Sequence, residues 1–409
     1  MHLSNLDAWT GLAWGVAGAW IVAMVVFVRA CRKRLVLRTT GQPFQIAVPR
    51  LSVIVAARNE ADCIESCIRS LFRQDYPDLE VIAVNDRSTD DTVEILGRLA
   101  IEFADRLRVV HVSALPVGWF GKPHALNCGL QTATGSLVCF TDADCEFHAP
   151  AALRATIAEL LRRRFDFFSL TATYTMTSLW ERVTVPCCCE VLLASLRPDR
   201  VEDPDWPDAF ANGAFILARR APFDRIGGWG AVRAKISEDL QLARLAKRSG
   251  LRVGVAHGEG FYHTRSYRSP RDSWNGWSRI FEGALTPSQL LLTLVRMLLM
   301  FALPLGAVLW GLSGALRAGI PEALIRGAGP GFAVAFGLRC VLDVAIFRLA
   351  GSPVAAILLA PLGRLFAMAA ATRALLSHAG LVHTHWRGSK FAAGQMVMPR
   401  QVKPEPHIP

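Results

Sequence analysis

LSVIVAARNEADCIESCIRSLFRQDYPDLEVIAVNDRSTDDT, residues 51–92, decides the architecture of this chain. Leu51 to Ala57 is an unbroken apolar run rich in β-branched residues, the pattern of a strand buried on both faces. Arg58-Asn59-Glu60 opens a helix through about Phe72, and 79–85 repeats the strand signal. Ser88, Thr89, Asp90 and Asp91 offer caps for the next helix. Beyond it, 107–112 and 136–141 read as strands on either side of a helix at 122–133. Strands alternating with helices over short connections predict an α/β domain: a mostly parallel sheet with helices on both faces.

The pattern becomes mixed after Pro150. A helix through about Arg164 precedes a strand at 166–175. The apolar stretch 177–196, with Trp180, Pro186 and Cys187-Cys188-Cys189, has the composition of a segment lying on a membrane surface. A polar loop at 197–208 leads to a strand-like run at 209–218, a helix from about Glu238 to Ser249 and a strand-like 251–256. No internal repeat or low-complexity tract interrupts the series.

Four acidic stations punctuate this fold: Asp86 in VIAVNDRSTDDT, Asp142 and Asp144 in LVCFTDADC, and Asp239 in ISEDLQ. A carboxylate that ends a strand stands at the carboxyl edge of an α/β sheet, where ligands bind. Two carboxylates one residue apart can share a divalent cation, Mg²⁺ or Mn²⁺, which is what a departing nucleoside diphosphate needs. The pattern points to a nucleotide-sugar site. For each station there is a plainer reading: Asp86 as a turn residue, the 142/144 pair as a polar turn, Asp239 as a helix cap beside Glu238.

The flanks are built for a bilayer. Residues 10–28 carry no charge over about the length that spans the hydrocarbon core, and the basic cluster RACRKRLVLR (29–38) follows rather than precedes them. That order favours an uncleaved span over a signal peptide and places the middle of the chain in the cytoplasm, at the inner membrane. Three further apolar stretches follow: 289–313 with Arg296 and Pro304, where a kink is expected; 329–349 with Arg339 and Asp343 spaced to pair on one face; and 352–376. The last is broken by Pro353, Pro361, Gly363 and Arg364, and four crossings would put the basic tail (Arg387, Lys390, Arg400, Lys403) outside. An interfacial or re-entrant course for 352–376 resolves that conflict. The domain plan is thus an anchor with its basic segment at 1–38, a catalytic domain at 48–285, membrane or interfacial helices at 286–380 and a basic tail at 381–409.

The formal charge of +11 suits acidic headgroups or phosphorylated substrates, and with no zinc-finger or RNA-recognition motif the reading expects no nucleic-acid partner. Ten cysteines, three of them consecutive and none in opposed C-x-x-C pairs, read as reduced thiols on the cytosolic side. Nothing in the sequence speaks to self-association.

SVIVAARNE (52–60), NDRSTDDT (85–92), GKPHALNCG (121–129), FTDAD (140–144), NGAFILARR (212–220) and SEDLQLARLAKRSG (237–250), in this order, resemble the membrane-bound family 2 glycosyltransferases. Their fold is the Rossmann-like GT-A domain. The W-x-GK and FTDAD motifs and the late HTHWRGSKF (383–391) resemble lipid-modifying members associated with hopanoid and carotenoid synthesis, and more distantly ceramide glucosyltransferase. The resemblance implies a UDP-sugar donor and a membrane-lipid acceptor, a hopanoid or other isoprenoid. It implies that Ala57, Arg58 and Glu60 border the nucleobase, that Asp86 contacts the nucleoside and that Lys122 approaches the diphosphate. Asp142 and Asp144 would be the DxD pair, Asp144 the direct metal ligand, and Asp239 the general base.

Many members carry Q/R-x-x-R-W after the base. Here the corresponding stretch is RSYRSPRDSWNGWSR (265–279), so Trp274, Trp277 and Arg279 are the candidates for that task, with Glu238 and His263 on the same acceptor and diphosphate side. For the tryptophans, interfacial anchoring is an equal alternative, and for His263 a structural role. The Arg162-Arg163-Arg164 run reads as a solvated or lipid-facing patch. Two rival readings of the whole remain: a processive polysaccharide synthase, and a non-catalytic membrane scaffold that kept the fold.

Overall fold

Leu51–Ala57 is the central strand of an eight-stranded sheet in the computed structural model, and all but Ala56 of its residues are buried. The structure describes residues 2–38, 48–306 except 259, 266 and 268, 328–386, 389–392 and 395–396. In chain order the elements are α1 (His2–Lys33), β1 (Leu35–Leu37), β2 (Leu51–Ala57), α2 (Ile64–Phe72), β3 (Leu79–Asp86), α3 (Thr92–Glu102), β4 (Leu107–Val112) and α4 (Gly121–Thr132). Then come β5 (Leu137–Asp142), β6 (Cys145–Phe147), α5 (Ala152–Arg163), β7 (Phe167–Thr171), β8 (Thr173–Thr175), α6 (Leu179–Leu196), β9 (Phe215–Arg219) and α7 (Arg220–Arg225). The remainder is α8 (Glu238–Arg248), β10 (Val253–Gly258), β11 (Tyr262–Arg265), α9 (Pro270–Ala284), α10 (Pro287–Met297), α11 (Ala328–Leu349) and α12 (Ala360–His378).

The main sheet runs β1-β10-β7-β9-β5-β2-β3-β4, parallel throughout except for β9, which is antiparallel to both neighbours. Alternate residues of β2 feed two cores: Val53 and Val55 pack under α2 and α5, and Ile54 packs with Leu126 of α4, Phe140 and Leu242 of α8. Parallel order throws the carboxyl ends of β2, β3 and β5 to one edge, which is where Ala57, Asp86 and Asp142 sit.

Several boundaries differ from the sequence reading. The helix expected to open at Arg58 begins at Ile64, because Asn59 takes a left-handed φ of 57° and the chain turns there. The 166–175 strand divides at Ala172, and its second part joins β6 and β11 in a separate three-stranded sheet. In 209–218 only the end is strand, since β9 starts at Phe215. Within the basic segment after the first apolar helix, Leu35–Leu37 forms an unexpected edge strand paired with Ala256–Gly258, which ties α1 to the α/β domain.

Among the described residues three helices are long and apolar enough to cross a membrane: Thr10–Lys33, Pro287–Gly306 and Val354–His378. This marks the chain as membrane-associated. The third contains the stretch expected to be interfacial; a short 3₁₀ turn at Val354–Leu359 leads directly into α12. Pro304 does not act alone: a π-helical turn at Leu298–Ala302 precedes it. Proline has no N–H to give the carbonyl four residues back, and Trp20 of α1 donates its indole N–H to Met300 O at 2.9 Å instead. The same happens in α6, where Pro186 frees Arg182 O and Ser352 Oγ donates to it at 2.7 Å. α6 is therefore an interior helix rather than a surface-lying one: Val183, Val185, Cys187, Cys188 and Val191 are buried, and Glu190 pairs with Arg339 of α11. All ten cysteines are free. Residues 307–313 of the second apolar stretch, and Arg387, Arg400 and Lys403 of the tail, lie outside the described residues.

Candidate active site

The carboxyl edge opens into a cavity of about 1650 Å³, and the loops that shape it are held by hydrogen bonds between them. Asn59 Oδ1 accepts from Thr89 N–H at 2.8 Å, Thr92 Oγ1 accepts from Glu60 N–H at 2.9 Å and Asp90 accepts from Ala61 N–H at 3.1 Å. The Ser88–Asp91 cluster thus braces the Arg58–Glu60 turn, whereas Asp91, at the start of α3, makes no side-chain cap bond. Ala57, Arg58 and Glu60 line the cavity as a result.

Asp86 ends β3, buried, with its carboxylate gripped by Arg87 at 2.8 and 3.1 Å. Gly121, the first residue of α4, lies against it: a Cβ there would stand 2.8 Å from Asp86 Oδ2. That close approach brings the start of α4 to the edge and aims Lys122 inward. Lys122 Nζ sits 2.5 Å from Asp142 Oδ1 and 3.6 Å from Glu238 Oε1. Burial alone would lower the Lys122 pKa, but the charges of Asp142 and Glu238 outweigh it and hold the ammonium charged.

Asp144 follows Asp142 by two residues, in the turn between β5 and β6. Burial, then the charges of Asp142 and Glu60, push its carboxyl up to about 7 despite Lys122 and a hydrogen bond from Thr264. Asp239 stands opposite, in the first turn of α8. Ser237 takes a left-handed φ of 54° and turns the chain so that Glu238 and Asp239 face the cavity. Asp239 Oδ2 accepts Gly213 N–H at 2.7 Å and Oδ1 accepts Leu240 N–H at 2.8 Å. Leu240 N–H is a first-turn donor of α8, so Asp239 serves its own helix end, while its second oxygen reaches outside the helix to Gly213. Gly213 admits it: a Cβ would lie 2.9 Å from Asp239 Oδ2 and 3.2 Å from Lys122 Nζ. Burial and the neighbouring Glu238 raise Asp239 to about 6, against the pull of Lys122.

The acceptor-side candidates divide. Trp277 and Arg279 of α9 line the cavity, Trp277 buried against Phe281. Trp274 is not brought to it; its ring meets Phe366 of α12 at 5.7 Å and lies under Arg373. At i and i+3 the two share a broad face of α9, and it is the packing of Trp274 on Phe366 that separates them. His263 lines the cavity from β11 with its ring 4.5 Å from His148, and burial and His148 push its pKa down. Of the late motif, His383 offers its backbone carbonyl to Arg373 and Thr384 donates to Glu282 at 2.5 Å. Sequence reasoning gave no role to Gly213 or Thr264. The NG pair at 212–213 was a visible signal, since glycine before a strand often marks a close approach; Thr264 had none.

Among the described residues no group of three or more His, Cys, Asp or Glu side chains is arranged to hold a metal. The donor set nonetheless fits a hard divalent cation that shares its sphere with phosphate oxygens and water. Asp142 and Asp144 stand together with Glu60 nearby, and burial with these two carboxylate neighbours raises the Asp144 carboxyl to about 7 against the single charge of Lys122.

Residues 52–227 match the family model described as Glycosyl transferase family 2. Over this stretch the chain is similar to that family. A β-monoglucosyldiacylglycerol synthase from Synechocystis sp. is 29% identical over 268 residues, 62% of this chain and 52% of that protein. The 4,4'-diaponeurosporenoate glycosyltransferase of Staphylococcus aureus is 24% identical over 230 residues, 56% of this chain and 60% of its own. The chain thus spans little more than half the length of these curated relatives. A mannosyltransferase from Pyrobaculum calidifontis, solved in complex with GDP-Man and Mn²⁺, covers 90% of this chain and 99% of its own at 21% identity and a TM-score of 0.51. At that identity the likeness concerns the fold, a GT-A-like α/β domain.

Proposed function

We propose that the protein is an inverting, metal-dependent family 2 glycosyltransferase, which moves a sugar from a UDP-sugar to a membrane lipid at the cytoplasmic face of the inner membrane. The observation that carries the reading is the placement of Asp239. Its carboxylate is fixed by two backbone N–H groups and faces the cavity that Asp142, Asp144 and Lys122 line. The walls of the same cavity include Val22, Ala23 and Val26 of α1 and Met297 of α10, so an apolar acceptor can reach the sheet edge without crossing water.

In this reading Asp239 takes the proton from the acceptor hydroxyl as that oxygen attacks the anomeric carbon. The two N–H bonds hold the carboxylate in one orientation, and its raised pKa makes it a better base than a solvated aspartate. Lys122 lies beside the leaving diphosphate and meets the charge that develops there. A divalent cation bound by Asp142 and Asp144 would supply Lewis-acid stabilisation of that same leaving group. Ala57, Arg58 and Glu60 border the nucleobase and Asp86 the nucleoside. Trp277, Arg279 and His263 line the acceptor and diphosphate side with Glu238, while Trp274 anchors α9 to α12. The relatives named above act, by their names, on a diacylglycerol lipid and a carotenoid acid, which supports a lipid acceptor and does not single out a hopanoid. The test is nucleotide release by purified full-length protein given Mn²⁺, lipid extract and UDP-sugars or GDP-mannose. UDP release that depends on lipid is expected. Release without any lipid dependence, or only from GDP-mannose, overturns the acceptor or the donor assignment.

A further inference from the structure

Away from the carboxylates, the cavity runs between α1, α6, α10 and α11, where a second polar cluster lies inside apolar helices. Arg339 of α11 bonds both oxygens of Glu190 at 2.5 and 2.8 Å and also reaches Asp343; Arg364 of α12 reaches Asp343 from the other side. Arg339 and Arg364 are each 4% exposed. Charge buried among apolar helices is costly unless each donor is met, and such residues mark ligand paths. These donors are not all met. Among the described residues, the Nε atoms of Arg339 and Arg364 are buried with no hydrogen-bond partner. Trp20 and Phe301 cover the guanidinium faces, which leaves the Nε–H edges unserved. Arg296 of α10 lines the same space and forms no ion pair among the described residues. Three arginines against Glu190 and Asp343 leave a surplus of one positive charge.

We propose that this arm of the cavity binds the oxyanion head of an anionic membrane lipid, at a site separate from the transferred sugar. Arg296 and the free edges of Arg339 and Arg364 would hold the head, since arginine matches phosphate and carboxylate oxygens. The tail would lie along Val22, Ala23, Val26 and Phe27 of α1, which line the cavity within the Thr10–Lys33 apolar helix. That wall is the reason for a lipid rather than a free anion. The site does not depend on the transfer reaction, so its test does not measure activity.

The experiment titrates the full-length protein in detergent with phosphatidylglycerol, with phosphatidylcholine of the same chains, or with inorganic phosphate. Unfolding temperature and bound lipid by native mass spectrometry are the readouts. Phosphatidylglycerol is expected to stabilise and to be retained in preference to phosphatidylcholine. Arg296→Gln should weaken that preference about fivefold. Arg364→Met with Asp343→Leu removes one charge of each sign and should abolish it. Arg296 has no ion pair to lose, so R296Q decides the matter even where the double variant does not fold. Equal response to both lipids, or a preference unchanged in R296Q, overturns the site and leaves the cluster as a helix staple. Inorganic phosphate reproducing the effect overturns the lipid assignment.

Discussion

Glu80 lies near the amino end of β3, Asp144 and Asp239 stand past the carboxyl edge of the same sheet, and the acids of the two edges live in opposite environments. At the amino edge of the sheet, Glu80 accepts from Ser52 Oγ at 2.5 Å and from the N–H and Oγ1 of Thr134, both at 2.7 Å, with Arg50 at 3.4 Å. Burial alone would raise its pKa, but the bonds from Ser52 and Thr134 and the charge of Arg50 bring it down to about 2. At the carboxyl edge, burial and neighbouring carboxylates raise Asp144 to about 7 and Asp239 to about 6. One edge spends its donors on a single acid; the other crowds acids around one lysine. The first arrangement stabilises the fold, and the second holds the fold under electrostatic strain that a cation or a substrate can relieve.

The sharpest way to break that contrast is Asp239→Asn. Loss of the base should reduce turnover by roughly three orders of magnitude, with UDP affinity by calorimetry unchanged within about threefold. Turnover above a tenth of the wild-type value would remove Asp239 from the chemistry. Asp144→Asn should come next, with a loss of roughly a hundredfold and a higher Mn²⁺ requirement in a metal titration; chelation of the wild type should abolish turnover. An unaltered Mn²⁺ requirement would take Asp144 out of the metal site.

How much of this could be read from residues alone follows from the same contrast. Asp86 and Asp142 were legible because apolar-rich strands of eight and six residues end on them, and the parallel sheet then fixes their edge. Glu80 was not, because one acid inside a strand has no periodic signature; its partners Ser52 and Thr134 come from β2 and a distant loop. The Arg339–Asp343 pair was visible as a helical spacing, whereas Glu190 and Arg364, which complete the cluster, arrive through tertiary packing. Prolines 186 and 304 announced missing hydrogen bonds, yet only the packed helices reveal that Ser352 and Trp20 replace them. Trp274 was offered beside Trp277 as an acceptor-side candidate, and only the packed helices reveal that its ring meets Phe366 of α12 instead.

Glu80→Gln sharpens the comparison from the other edge. Ser52 and both Thr134 donors share Oε1, which the amide keeps. What is lost is Oε2, so Arg50 faces an amide NH2 in place of a carboxylate oxygen, and the negative charge that strengthened the other bonds is gone. A loss of roughly 1–3 kcal/mol in stability is expected. Turnover at a temperature well below unfolding should stay within about twofold, because the residue lies at the far edge from the cavity. A large loss of turnover in folded E80Q would mean that the two edges are coupled.

The smallest effect is the most diagnostic, because its sign differs between the edges. Asp239 has a folded pKa of about 6, above the ordinary aspartate value of 3.8, so the folded protein binds its proton more tightly than the unfolded chain does. Stability from this group therefore rises as pH falls through about 6 toward about 4, by about 1 kcal/mol between about pH 7 and about pH 5. Asp144 acts in the same direction. Glu80 has a folded pKa of about 2, so its contribution is fully present above its ordinary value of 4.5 and is lost only as pH falls from there toward about 2. Unfolding temperature should accordingly climb by a few degrees from about pH 7 to about pH 5 in the wild type and in E80Q. The climb should shrink in D239N and vanish in the double Asp144→Asn, Asp239→Asn variant, whose unfolding temperature at neutral pH should already stand above the wild type. A flat wild-type profile over this range would mean that the carboxyl edge is not strained in the absence of its ligands.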